Sequence, residues 1–113
     1  MLSELFDSKD CYKVEKFEEM LIRYNGYGKS LFSELKSDYP DIFEHLVFYQ
    51  RIDIEEDCYA IYEKENVSFA IQLEPLCERI VLWNNTSIIE IGNWVTNENE
   101  EAIKYIRQNL MDI

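Results

Sequence analysis

Cys58-Tyr59-Ala60-Ile61-Tyr62, then Lys64-Glu65-Asn66, then Val67-Ser68-Phe69-Ala70-Ile71-Gln72-Leu73 is the stretch that decides the fold. Tyr59 and Ile61 alternate with Cys58, Ala60 and Tyr62, and Val67, Phe69, Ile71 and Leu73 share one parity. A period of two places alternate side chains on opposite faces of a strand. Lys64-Glu65-Asn66 reads as the turn between two such strands. Glu74-Pro75 ends the second, because proline cannot donate to a ladder. Downstream, Arg79 to Trp83 and Thr86 to Ile91 are again β-branched and aromatic. Asn84-Asn85 lies between them, and asparagine tolerates the positive φ that two-residue hairpin turns require. Strands joined by such short links cannot be parallel, since a parallel crossover takes a dozen or more residues. The sequence therefore predicts a four-stranded antiparallel meander.

Upstream the period is helical. Val14, Phe17, Leu21 and Tyr24 recur at spacings of three and four, with Met20 beside them and Asn25-Gly26 as a C-terminal stop. A second helix is expected from about Lys29 to Lys36, burying Leu31, Phe32 and Leu35. Ser37-Asp38-Tyr39-Pro40 breaks it, and Pro40 suits the first turn of a third helix. Ile42, Phe43, Leu46 and Val47 would form that helix's apolar face. The last element begins at Thr96 or Asn97, where Asn97 and Glu100 have capping-box spacing. Glu98, Glu100 and Glu101 crowd its first turn, where the helix dipole favours negative charge. Ala102, Ile103, Ile106 and Leu110 would be its buried stripe. N-terminal helices, a meander and a C-terminal helix define an α+β fold, and residues 1–113 read as a single α+β domain.

Composition narrows the partners. The chain has 113 residues and 13.6 kDa, with 23 acidic against 11 basic residues and a net charge of -12. The apolar fraction of 47% and aromatic fraction of 14% are those of a folded chain rather than an acidic tail. A nucleic-acid binder needs a basic face to neutralise phosphates, so no direct nucleic-acid contact is expected. The same charge argues against an anionic membrane surface, and no run approaches the roughly 20 apolar residues of a span. The start, Met1-Leu2-Ser3-Glu4-Leu5-Phe6-Asp7, lacks the basic and apolar regions of a secretory signal. Cys11, Cys58 and Cys77 are an odd number with no metal spacing and read as small hydrophobes. Together these features point to a cytoplasmic protein.

No catalytic motif stands out. His45 is the only histidine, and no nucleophile signature surrounds it. Gly26-Tyr27-Gly28-Lys29-Ser30 ends like a phosphate-binding loop, but Arg23 stands where that loop needs its first glycine. Asp53-Ile54-Glu55-Glu56-Asp57 gathers oxygen ligands without the glycine and distal glutamate of a calcium loop. No catalytic residue, cofactor or metal site is assigned.

The acidic surface is the strongest functional signal. From Asp38 to Asp57 seven carboxylates (Asp38, Asp41, Glu44, Asp53, Glu55, Glu56 and Asp57) face one cation, Arg51, a balance of -6. Carboxylates packed this densely repel, and a cationic partner would relieve the repulsion and be steered by the field. Plain solubility is the simpler reading of the same surplus. The candidate partner-binding residues are Asp53, Glu55, Glu56 and Asp57, with Tyr49 or Tyr59 as a desolvated anchor of the kind common at interface hot spots.

Small size, acidity, α+β order and lack of catalytic residues resemble the immunity proteins that protect bacteria from polymorphic toxins. Val14-Glu15-Lys16-Phe17-Glu18-Glu19-Met20-Leu21-Ile22-Arg23-Tyr24-Asn25-Gly26 resembles the helix and Tyr-Asn-Gly-like turn of the SMI1/KNR4 superfamily, which includes many such proteins. Ser30 to Tyr49 reads as more helical than that family. The resemblance implies a non-catalytic inhibitor that neutralises a basic toxin domain by placing carboxylates where nucleic acid would bind; monomer and homodimer both fit the sequence. Three other classes fit the same sequence. One is an acidic nucleic-acid mimic that blocks a host DNA- or RNA-binding protein. The others are a small enzyme with an unrecognised carboxylate site and an assembly subunit.

Overall fold

The computed structural model describes residues 11–15, 31–51, 57–74, 79–83, 89–95 and 98–111. Six strands form one antiparallel sheet: β1 (Cys11–Val14), β2 (Leu46–Arg51), β3 (Cys58–Lys64), β4 (Val67–Glu74), β5 (Arg79–Trp83) and β6 (Glu90–Val95). Their order in the sheet is their order in the chain, so every connection is between neighbours. Helices α1 (Leu31–Asp38) and α2 (Pro40–Phe43) lie between β1 and β2 in sequence, and α3 (Asn99–Tyr105) follows β6. The last turn, Ile106–Leu110, widens to a π-helix, closed by Met111 N–H donating to the Ile106 carbonyl at 2.9 Å.

The meander is as predicted, but it has six strands rather than four. β2 replaces the end of the expected third helix. Ile42, Phe43, Leu46 and Val47 fit a helical stripe, yet the helix stops at Phe43 and Glu44-His45 turn the chain into the strand. β1 takes Val14, which the periodicity assigned to a helix; residues 16–25 of that expected helix lie outside the described residues. The strand expected over Thr86–Ile91 is described as Glu90–Val95, and residues 86–88 of that range lie outside the described residues. The Asn84-Asn85 turn lies outside the described residues. The register puts Trp83 opposite Glu90 and Leu82 opposite Gly92. Six residues therefore separate the paired ends, and Ile91 is a bulged extra residue.

Other local expectations match. α1 spans Leu31–Asp38 and buries Leu31, Phe32 and Leu35. Tyr39 breaks it with φ -135° and ψ 59°, and Pro40 opens α2. Lys64 pairs with Val67, so Glu65 and Asn66 form a two-residue turn in which Glu65 has a φ of 55°. Asn97 of the expected capping box lies outside the described residues. Glu98 occupies the cap position without a side-chain cap bond, and Ala102, Ile103 and Ile106 are buried as expected.

One face of the sheet carries Leu46, Phe48, Ala60, Tyr62, Phe69, Ile71, Leu73, Ile80 and Leu82 into a single core with the buried side chains of α1, α2 and α3. Phe32 meets Phe48 edge-on at 5.2 Å, and Tyr62 stacks on Phe69 at 5.0 Å. Fully burying a side chain such as Phe32 is worth about 1.5–3 kcal/mol. The opposite parity is buried too, through Tyr49, Ile61, Ala70 and Val81. On β6, Trp94 lies over Gly92, where an added Cβ would sit 2.7 Å from the indole ring. Glycine there is a requirement of close approach, not of backbone freedom.

Candidate functional site

Of the sequence-predicted site residues, Tyr49, Asp57 and Tyr59 are described and fall at one end of the sheet. Asp53, Glu55 and Glu56 lie outside the described residues. Asp57 is only 4% exposed and is engaged within the fold. Its carboxylate meets the Arg51 guanidinium at 3.5 Å and accepts from Gln72 Nε2 at 3.3 Å. Gln72 Oε1 in turn accepts from the Trp83 indole at 2.9 Å. The Asp57 carbonyl accepts from Gln50 Nε2 at 2.8 Å and from Arg51 N–H at 3.2 Å. A buried carboxylate is tolerable only when paired and hydrogen-bonded. Asp57 therefore ties β2, β3, β4 and β5 together, and is not among the carboxylates turned to solvent.

The two tyrosines proposed as anchors sit beside this network. Tyr49 and Tyr59 are register partners on the face opposite the one that packs on α1, α2 and α3. Tyr49 is buried; Tyr59 is half-buried. Burial pushes the Tyr59 phenol up to about 12. Cys11 and Asp57 push the same way, while the charge of Arg51 and its hydrogen bond to the phenol oppose them. Tyr59 is thus held protonated as a neutral hydrogen-bonding group. Its charged neighbours are already matched, which gives the cluster a structural use.

A second cluster lies at the other end. β2 is six residues long, about 17 Å at the rise of a strand, and it separates the two halves of the acidic segment. Asp41 on α2, Glu44 after it and Glu65 in the β3–β4 turn come from two separate parts of the chain, and all three are exposed. The β2–β3 register sets Leu46 opposite Tyr62, so Glu44 and the Glu65 turn lie at the same end of the sheet. The Tyr62 phenol is raised first by burial and then by Asp41, Glu44 and Glu65. Tyr62 is edge-on to His45 at 5.7 Å, and His45 Nε2 is 3.2 Å from Glu44. Arg107 approaches Asp41 at 3.2 Å and stacks over Tyr39 at 5.4 Å. Exposed Lys64 beside Glu65 and Lys36, 6.0 Å over the Phe43 ring, lie at the same end, so with Arg107 three cations stand among these three carboxylates. None of the three was among the sequence-predicted partner-binding residues: Asp41 and Glu44 stood only in the acidic segment, and Glu65 lay outside it, brought to this end by the two-residue turn and the β2–β3 register.

Among the described residues no group of three or more His, Cys, Asp or Glu could hold a metal ion, and no helix is long and apolar enough to cross a membrane. The chain matches no protein-family model, and neither the curated proteins nor the solved structures contain a match to it.

Proposed function

We propose that this chain is a non-catalytic protein-binding inhibitor of the immunity class, which neutralises a cognate bacterial toxin through an acidic surface. The observation that supports this reading is that Asp41, Glu44 and Glu65 are all exposed at one end of the sheet, in a chain of net charge -12, beside the cations Lys36, Lys64 and Arg107. A catalytic nuclease domain holds phosphates with lysine and arginine, and a carboxylate patch can occupy the same cleft. Repulsion among these carboxylates is relieved when such a cleft docks, and the complementary field speeds the encounter. Asp38 lies on the same segment and adds to the field.

The test is co-expression with a basic domain encoded by a neighbouring gene, with association rates measured at rising salt. The intact chain protects the cell and binds at a rate that falls steeply with salt. The triple variant Asp41→Asn/Glu44→Gln/Glu65→Gln binds about tenfold more slowly at low salt and loses most of that dependence. Equal rates and equal salt slopes for the two proteins would remove the acidic patch from the interface. Failure of the intact chain to bind or protect would remove the immunity reading itself.

A further inference from the structure

The two edges of the sheet differ. β1 is four residues long and carries exposed Lys13, the kind of charge that guards an edge from further pairing. β6 is six residues long and holds no Lys, Arg or Pro. Pairing with β5 uses one side of its backbone. In an antiparallel ladder alternate residues turn their N–H and C=O groups to the other side. Among the described strands none pairs there. The bulge at Ile91 spoils the hairpin end, and the Val95 carbonyl already accepts from Glu98 N–H at 2.9 Å. The regular run that remains is Gly92–Trp94, flanked by Val95, which is 47% exposed.

Charge selects the occupant. Glu90 opens the strand, and Glu98, Glu100 and Glu101 follow it at the start of α3, all exposed. Arg79 lies opposite Val95 in the ladder but is bound to Glu74 at 2.8 Å. A second copy of the chain would bring another net charge of -12 to this edge.

We infer that the β6 edge takes up an extended, lysine- or arginine-bearing segment of a partner protein as a seventh strand. Backbone hydrogen bonds supply the affinity, and the flanking glutamates set the sign of charge accepted. This site lies at the Glu74–Arg79–Val95 end of the sheet, away from the Glu65 turn, so it goes beyond the acidic patch. It shares with the proposed function only the cationic character of the partner.

The probe is a short peptide alternating lysine with valine, added to the full chain while amide hydrogen exchange is followed. The expected result is binding with new protection at Gly92–Trp94. The same peptide N-methylated at alternate residues loses about tenfold or more in affinity, since it can no longer donate ladder bonds. A glutamate–valine peptide does not bind. Protection elsewhere, no binding, or equal binding of either control peptide would overturn the proposal. So would a concentration-dependent dimer protected at Gly92–Trp94 without peptide, which assigns the edge to a second copy. The Asp41→Asn/Glu44→Gln/Glu65→Gln variant should show the same protection pattern, which separates failure of the edge from failure of the acidic patch.

Discussion

The two ends of strand β2 treat carboxylates in opposite ways. At the Arg51 end, Asp57 is taken out of water and given a guanidinium, a glutamine and a place in a chain of hydrogen bonds. At the Leu46 end, Asp41 and Glu44 stay in water and are joined by Glu65. The linear sequence presents Asp41, Glu44 and Asp57 as one run, with Glu65 outside it. The difference teaches that charge density along a chain does not say which charges are available. Desolvation decides, because a buried carboxylate must be matched internally, and an exposed one need not be.

Removing Asp57 is the harshest test of that contrast. Asp57→Ala leaves Arg51 and Gln72 without their shared acceptor, and should cost about 3 kcal/mol, read as a lower midpoint in urea unfolding. A loss no larger than that of a surface substitution would mean that Asp57 is not a tie between strands.

Tyr59 tests the same end by pH. Its folded pKa, about 12, lies above the ordinary 10.0, so the folded state keeps the proton longer than the unfolded chain. The contribution of Tyr59 is whole below pH 10.0 and is lost as pH rises from there through about 12. Wild type should lose stability across that window relative to Tyr59→Phe, and ultraviolet titration should show one tyrosine ionising late. Parallel curves for the two proteins would place Tyr59 in ordinary solvent.

Glu65 sharpens the other end. A non-glycine residue at a φ of 55° carries steric strain. Glu65→Gly should therefore raise stability by about 0.5–1 kcal/mol, after the extra unfolded-state freedom of glycine is subtracted. The same change should slow association with a cationic partner, so stability and binding move in opposite directions. The smallest effect is expected from Asp41→Asn combined with Glu44→Gln. Both sites are exposed, and stability should change by no more than about 0.5 kcal/mol by thermal melting. A large loss there would show that Arg107 depends on Asp41 to hold the C-terminal helix.

Legibility followed the strength of the local pattern. β3, β4 and their turn were readable because alternation ran unbroken across a two-residue link. α1 was readable because Tyr39-Pro40 punctuated it. β2 was not, for Leu46-Val47-Phe48-Tyr49 is apolar at both parities and sits where Ile42 and Phe43 extend a helical spacing. Both faces of that part of the sheet are largely buried, which erases the period-two signal. β1 is four residues long, too short to carry a period, and its place comes from pairing with β2. In the candidate site, Asp41 and Glu44 were visible as acids, but Glu65 was hidden by its distance along the chain.

The sequence by itself determined the class of fold, the antiparallel meander, the helix break at Pro40 and the acidic character of the whole. These follow from local periodicity, backbone restriction and summed charge, which need no partner to be read. Only the tertiary structure decided the number of strands, the inward turn of Asp57 and the placing of Asp41, Glu44 and Glu65 at one end of the sheet. Each depends on register and burial, and these are settled by segments far apart in the chain when they exclude water together.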